Sequence, residues 1–155
     1  MILTLVASGC GSGDETGVLS GRVVRVLDGD TIVVAGVGAV RYLGVDTPEL
    51  HHPRKPVERF AARAAVFNRR LVAGADVRLE TDREVHDAYG RTLAYVYVGR
   101  VMVNAALVRA GMAESFAFAP NTTHKDLFDD LEADARTAGR GQWGPLEGGP
   151  PYGVP

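Results

Sequence analysis

The sequence contains a single cysteine, Cys10, among its 155 residues. An intrachain disulfide is therefore excluded, and a hydrophobic core must hold the fold together. Lysine is also scarce, because Lys55 and Lys125 are the only lysines among the 17 basic residues. The arginine bias fits bidentate recognition of phosphate by guanidinium groups, although genomic composition alone also produces such a bias.

The sequence lacks both a long hydrophobic run and a strong excess of one charge. No segment approaches the ~18 apolar residues of a membrane-spanning helix, so any membrane contact must be made by an anchor. The formal net charge is −2, which excludes a protein that is basic all over. Contact with nucleic acid would therefore depend on a local cluster of positive residues. The length suits one domain with one core.

Five segments have the composition and alternation of β-strands. Residues 18–27, 31–35 and 39–45 are rich in β-branched side chains and are separated by the turn signals Asp28-Gly29 and "GVG", which predicts a three-stranded meander. Residues 76–84 alternate between apolar and polar side chains, and residues 92–98 ("TLAYVYV") form the fifth segment. The alternation is typical of half-buried strands.

Three segments have helical periodicity. The first carries apolar residues on one face and ends at Gly74; these residues are Val57, Phe60, Ala64, Phe67 and Leu71. The second is the short segment "MVNAALVRAG", which Gly111 closes. In the third, we expect Thr123 to cap the helix with Asp126 at the third position, and an inward stripe follows: Leu127, Leu131 and Ala135.

The order of these elements predicts an α+β fold. Five short strands, with one helix after the third strand and two helices after the fifth, fit a five-stranded oligonucleotide-binding (OB) β-barrel that carries three α-helices. We expect the folded domain to occupy residues 18–144. Residues 145–155 are rich in proline and glycine, and we expect them to be a disordered tail.

Charged side chains cluster where the strand pattern breaks. They lie in "LDGDT" (Asp28 and Asp30), in "RYLGVDTPE" (Arg41, Asp46 and Glu49) and in "DAYGR" (Arg91). Each stretch alone also fits an ordinary turn. Arg41, however, alternates onto the strand face of Leu43 and Val45, which is an awkward place for a charge unless an anion meets it.

The carboxylates of this group have the spacing and chemistry of a metal site. Asp30 begins the second strand and Asp46 ends the third, and adjacent strands of a meander bring such ends together. Oxygen ligands without a neighbouring pair of Cys or His residues favour Ca²⁺ or Mg²⁺ over zinc.

Several motifs together resemble the staphylococcal-type nuclease (thermonuclease) family. "VLDGDTIVV", "RYLGVDTPE", "HPRKPVERF", "DAYGRTLAYVYV", "MVNAALVRAGMA" and "APNTTH" stand in the family's order and spacing, over about residues 21–143. The resemblance implies an OB barrel with three helices. It also implies Ca²⁺-dependent hydrolysis of phosphodiester bonds in DNA and RNA, with 3′-phosphate products.

The resemblance also implies roles for individual residues. Asp30 and Asp46 would bind one Ca²⁺ ion through their side chains, and Thr47 through its backbone carbonyl. Glu49 would be the general base for the attacking water. Arg41 and Arg91 would clamp the phosphate.

The sequence departs from the family in its nucleotide pocket. Tyr89 is retained, but Ala88 stands where the family has a lysine, and Phe116 and Phe118 replace two tyrosines. Phenylalanine still stacks on bases but donates no hydrogen bond. We therefore expect Tyr89, Phe116 and Phe118 to bind substrate, with a changed affinity and preference. The alternative is a non-catalytic OB module that binds nucleic acid or protein.

The first 17 residues resemble a bacterial lipoprotein signal joined to a flexible tether. A short apolar run ends in Ala-Ser-Gly-Cys and is followed by "GSGDETG". The run has no preceding Lys or Arg and is shorter than usual, so a cytosolic N-terminus is the alternative. We expect a monomer outside the cell or at its surface, anchored by a lipid on Cys10. Secretion as a soluble protein is the second option.

Overall fold

The computed structural model describes residues 18–50 and 58–145. Within these ranges the elements are, in chain order, β1 (Val18–Val26), β2 (Thr31–Val34), β3 (Gly38–Tyr42), β4 (Val45–Asp46), α1 (Ala61–Val72), β5 (Asp76–Glu80), β6 (Thr92–Val98), β7 (Val101–Met102), α2 (Val103–Arg109), β8 (Glu114–Ser115), α3 (Lys125–Thr137) and a short 3₁₀ helix (Gly141–Trp143). Cys10, Val57 and almost all of the predicted tail lie outside the described residues.

The β-strands close into a barrel. The order β3-β2-β1-β5-β6 runs through antiparallel neighbours, and a parallel pairing of β3 with β6 joins the two ends. Closure leaves these five strands without a free edge. With three α-helices in the described part of the chain, this architecture confirms the predicted α+β OB barrel.

Apolar side chains from alternate strand positions fill the barrel. Ile32, Val40, Leu79 and Val96 are fully buried, as the period-2 pattern predicts. The helices cover the remaining core: α2 packs against β6, and both α1 and α3 pack against α2. In the described part of the chain, no helix combines the length and apolar character needed to cross a bilayer.

The first helix has the predicted buried face but begins later than expected. Phe60, Ala64 and Phe67 are buried, and Leu71 packs at the margin of the core. The helix starts at Ala61 because Phe60 adopts a left-handed conformation with φ 71°, which cannot continue an α-helix.

In the last helix the predicted stripe is confirmed at Leu131 and Ala135, which are buried, but the predicted cap and Leu127 were wrong. His124, not Thr123, holds the N-cap position, and no side chain caps the helix. Leu127 is 43% exposed, whereas Phe128 is fully buried. Phe128 packs so closely on Gly44 that a Cβ there would lie 2.6 Å from its ring, so this contact requires glycine.

Two predicted strands end earlier in the structure. The fourth predicted strand stops at Glu80 and not at residue 84, and the third stops at Tyr42. The chain turns through Gly44, where φ is 71°, and then forms β4, which pairs with β8. Because the strand ends at Tyr42, the expected alternation of Arg41 with Leu43 and Val45 does not hold. The turn brings Phe116, next to β8, towards β4.

Candidate active site

An open cleft of about 620 Å³ lies at the end of the barrel where β1 turns into β2. It contains all six residues that the sequence predicts for catalysis and metal binding: Asp30, Arg41, Asp46, Thr47, Glu49 and Arg91. Its other walls are Arg25, Val26, Leu27, Asp28 and Thr31. The structure thus brings the predicted residues together, while their individual roles remain predictions.

Strand pairing explains how distant residues meet in the cleft. Thr31 pairs with Arg41 across β2 and β3, which places Asp30 beside Arg41. The parallel contact between β3 and β6 pairs Arg41 with Leu93, so Arg91, two residues earlier, reaches the same end of the barrel. Closure of the barrel is therefore what joins the two halves of the cleft.

Arg41 bridges two carboxylates. Its Nη1 lies 2.8 Å from Asp30 Oδ2, and its Nη2 lies 2.7 Å from Asp46 Oδ1. Nη1 also donates to the Val45 carbonyl at 3.0 Å, and the Arg41 side chain is only 18% exposed. The anion expected to meet this arginine is thus present within the protein, as a pair of aspartates.

Hydrogen bonds to Thr47 fix the orientation of Asp30. The Thr47 amide and hydroxyl donate to Asp30 Oδ2 at 2.9 and 2.8 Å, and Thr31 Oγ1 lies 3.1 Å from Asp30 Oδ1. The chain passes so close to Thr47 that a Cβ on Gly29 would lie 2.6 Å from Thr47 Oγ1. The sequence-based interpretation assigned Thr47 as a calcium ligand through its backbone carbonyl. It missed the hydrogen bonds to Asp30, because no local sequence pattern indicates them.

Asp46 has an unfavourable environment for negative charge. Burial raises the pKa of its carboxyl above the ordinary value, the charge of Arg41 opposes this, and Asp30 and Glu49 raise the pKa further. A cation placed between the carboxylates would relieve this repulsion.

The donor atoms of the cleft suit a hard cation. Asp30 and Asp46 each direct a carboxylate oxygen to the Arg41 guanidinium, and carboxylate oxygens are ligands that Ca²⁺ and Mg²⁺ prefer. In residues 18–50 and 58–145, no group of three or more His, Cys, Asp or Glu residues is placed to hold a metal. An ion bound here would have two carboxylate ligands, from Asp30 and Asp46, and would need further oxygen ligands such as a backbone carbonyl and water.

Glu49 shares the cleft with Asp30 and Asp46 but is not paired with Arg41. Its side chain is exposed on the cleft wall, and its backbone amide donates to Glu58 Oε2 at 3.2 Å. No arginine of the described chain forms an ion pair with its carboxylate. Its oxygens are therefore available to water in the cleft.

Arg91 is held by Asp87, a residue that the sequence-based interpretation missed. Arg91 Nε donates to Asp87 Oδ2 at 2.7 Å, and the amides of Arg91 and Tyr89 donate to Asp87 Oδ1. Burial alone would raise the pKa of Asp87, but these hydrogen bonds and the Arg91 charge hold it below its usual value. The spacing of four residues between an aspartate and an arginine was the available signal.

The predicted substrate-binding aromatics line a second cavity, of about 380 Å³. Tyr89 is 86% exposed, and Phe116 and Phe118 are also exposed, with their ring centroids 5.7 Å apart. This aromatic pocket shares Arg41 and Arg91 with the cleft, so the two cavities adjoin. Exposed aromatic rings beside arginines can stack on bases.

Fold and cleft together define a small closed β-barrel protein with arginines and carboxylates gathered at one end. The family model for "Staphylococcal nuclease homologue" matches residues 39–145. The thermonuclease of Staphylococcus hyicus is 38% identical over 125 residues, which cover 79% of this chain and 74% of that protein. The thermonuclease of Staphylococcus intermedius is 41% identical over 117 residues, which cover 74% of this chain and 70% of that protein.

A further relative comes from another genus. The endonuclease YncB of Bacillus subtilis (strain 168) is 40% identical over 118 residues, covering 73% of this chain and 56% of its own. The chain belongs to the staphylococcal nuclease family, as its motifs indicate. It is a hydrolytic nuclease.

Proposed function

We propose that the protein is a Ca²⁺-dependent nuclease that hydrolyses phosphodiester bonds of DNA and RNA and leaves 3′-phosphates. The observation that carries this proposal is the meeting of Asp30, Arg41, Asp46, Glu49 and Arg91 in one cleft. Family membership supports nucleic acid as the substrate. The protein would work as a monomer, because the cleft is built from one chain.

In this proposal the two arginines bind the scissile phosphate from two sides. Arg41 comes from β3 and Arg91 from the loop before β6. Their planar guanidinium groups match phosphate oxygens and suit the charge that grows on those oxygens as a fifth ligand joins phosphorus. Loss of one such donor is expected to cost ~10²–10³-fold in rate, by analogy with oxyanion holes.

Glu49 would act as the general base. Its carboxylate takes a proton from water as the water oxygen bonds to phosphorus. The bond from phosphorus to the 5′ oxygen then breaks, and that oxygen takes a proton from solvent. The products carry a 3′-phosphate and a free 5′-hydroxyl, which balances the reaction.

Asp30 and Asp46 would hold one Ca²⁺ ion through their carboxylates, and Thr47 through its carbonyl. When bound, the ion would supply positive charge to the phosphate. Ca²⁺ polarises water weakly compared with zinc, and this is why a separate carboxylate base is needed. Asp30, already oriented by Thr47, would keep its position when Arg41 turns to substrate.

A chelator assay tests the proposal. Purified protein should cleave single-stranded DNA and RNA with Ca²⁺, lose this activity in excess chelator, and leave 3′-phosphate ends. The alternative, an OB module without catalysis, predicts binding without turnover. Full activity in Arg41→Ala or Glu49→Ala would contradict the mechanism.

We also propose that the nuclease acts at the cell surface, anchored by a lipid on Cys10. The support is the apolar run that ends in Ala-Ser-Gly-Cys. Millimolar extracellular calcium would suit a site with few protein ligands. In the native host, Cys10→Ser should release the protein from the membrane fraction. Recovery of the unaltered protein in the cytosol would contradict export, and recovery in the medium would support the soluble secreted form.

A further inference from the structure

A third cavity, of about 250 Å³, lies between β1 and the end of α1. Its walls are Val23, Val24, Arg25, Val26, Arg69, Ala73 and Gly74; we call it the β1–α1 groove. Arg25 and Val26 also line the candidate active-site cleft. The groove is therefore a continuation of that cleft along β1.

A β-bulge gives the groove its shape. Val23 pairs with Val34, but Arg25 pairs with Val33, so β1 has one extra residue at Val24. As a result both Val24 and Arg25 point to solvent, although neighbours in a regular strand face opposite sides. Bulges are common beside active sites, where they redirect a side chain. Here the redirected side chain is an arginine.

The two arginines of the groove have no carboxylate partner. Within residues 18–50 and 58–145, neither Arg25 nor Arg69 forms an ion pair, in contrast to Arg41 and Arg91. Arg69 lies in the last turn of α1, where a cation also complements the helix dipole. That explanation does not apply to Arg25, which lies on a strand.

The charge of the surrounding surface favours an anion on this side of the protein. Helix α1 carries three arginines and no acidic residue (Arg63, Arg69 and Arg70). Helix α3 instead carries five carboxylates and two basic residues. With a net charge of −2, the protein has no general attraction for nucleic acid, so a local basic surface is what can guide a polyanion.

We propose that the β1–α1 groove, which among the described residues shares no lining residue with the aromatic pocket, binds the backbone of a single-stranded polynucleotide that also occupies the cleft. The aromatic pocket, the cleft and the groove would then form one continuous path for the strand. OB folds bind ~4–16 nucleotides of single strand along such surfaces. The inference rests on the proposed nuclease function and specifies its substrate as a chain longer than a dinucleotide.

Substrates of two lengths test the groove. We would measure kcat/KM for a single-stranded 16-nucleotide DNA and for a dinucleotide, in wild type, Arg25→Gln, Arg69→Gln and the double variant. The kcat/KM for the 16-nucleotide DNA divided by that for the dinucleotide should fall roughly tenfold in the double variant at low salt. Binding of the 16-nucleotide DNA is measured separately, by fluorescence anisotropy in chelator. The slope of log K against log salt concentration should weaken by about 0.7 for each arginine removed.

Arg100→Gln is the matched control, because Arg100 is an exposed arginine that lines none of the three cavities. It should leave the substrate ratio and the salt slope as in wild type. If the kcat/KM ratio is unchanged in the double variant, or changes equally in Arg100→Gln, the proposal that the groove binds the polynucleotide would be overturned. Melting temperatures of Arg25→Gln and Arg100→Gln should match wild type, since these side chains are exposed, and that of Arg69→Gln should fall only slightly through the lost helix-dipole contact.

Failure of the nuclease proposal would look different. Wild-type protein would then cleave neither substrate. The anisotropy measurement would still test whether the groove binds the strand. Weaker binding of the 16-nucleotide strand by the double variant than by Arg100→Gln would support the groove as a binding site, and equal binding would overturn that proposal.

Discussion

Arg41 donates to Asp30 across 2.8 Å, so a proposed phosphate ligand is paired with a proposed metal ligand. The same guanidinium also reaches Asp46. A cation held by the two aspartates would therefore compete with Arg41 for the same oxygens. Binding of Ca²⁺ and release of Arg41 towards substrate would then be one coupled event.

Arg41→Gln should bind Ca²⁺ more tightly than wild type in the absence of nucleic acid, while its turnover falls ~10²–10³-fold. The reason is that a positive charge beside the two carboxylates is lost. Isothermal titration calorimetry with Ca²⁺ alone measures the first effect. Arg91→Gln is the control: its arginine pairs with Asp87, so turnover should fall without tighter binding. Equal calcium affinity in wild type and Arg41→Gln would contradict the competition.

Asp87→Ala should lower kcat/KM by roughly tenfold, because Arg91 loses the carboxylate that orients its guanidinium. The loss should be smaller than in Arg91→Gln, which lacks the guanidinium itself. Asp87→Asn should recover part of the activity, since its amide oxygen still accepts hydrogen bonds. Calcium affinity should stay as in wild type. A loss in Asp87→Ala as large as in Arg91→Gln would argue that Asp87 does more than orient the arginine.

Asp82 ties the barrel to the start of the last helix, and its loss should destabilise the protein. Its buried carboxylate accepts from the Tyr95 hydroxyl at 2.9 Å and from the Thr123 amide at 3.2 Å. Burial opposes its charge, but the hydrogen bonds from Thr123, Tyr95 and Arg83 outweigh this and lower the pKa. Asp82→Asn should lower the free energy of unfolding by about 1–3 kcal/mol at pH 7.

The same group predicts how stability depends on pH. Because the folded-state pKa lies below the unfolded one, the contribution of Asp82 is complete above an unfolded pKa of ~3.9 and is lost as the pH falls through the folded value. Urea unfolding should therefore show the gap between wild type and Asp82→Asn shrinking below about pH 4. Asp76→Asn, at an exposed aspartate, is the control and should change little. A gap that stays constant down to pH 3 would count against this role.

The barrel could be predicted from the sequence because its physical cause is local. The alternation in β5, the β-branched residues of β2 and the Asp-Gly turn after β1 follow from the residues themselves. The meander also predicts that Asp30 and Asp46 come together, and in the structure both carboxylates contact the Arg41 guanidinium. In α3 only the first position of the stripe was wrong, because Leu127 and Phe128 are both apolar and the contact with Gly44 decides that Phe128 is the buried one.

Other features of the site depend on contacts between distant residues. The hydrogen bonds from Thr47 to Asp30 span 17 positions, and the bulge at Val24 exists only relative to β2. Neither leaves a pattern in the sequence. The contacts of Arg41 with both aspartates likewise require the turn through Gly44, which ended the strand earlier than the alternation indicated.

The most direct test of the central claim is a calcium titration of single-stranded DNA hydrolysis in wild type, Glu49→Gln and Asp46→Asn. We expect Glu49→Gln to saturate at the wild-type calcium concentration with a maximal rate ~10²–10⁴-fold lower, since only the base is lost. Asp46→Asn should need at least roughly tenfold more calcium to reach half of its maximal rate, since a charged ligand is lost. Wild-type hydrolysis that persists in excess chelator, or a Glu49→Gln variant with the full wild-type rate, would contradict a calcium-dependent nuclease with Glu49 as its base.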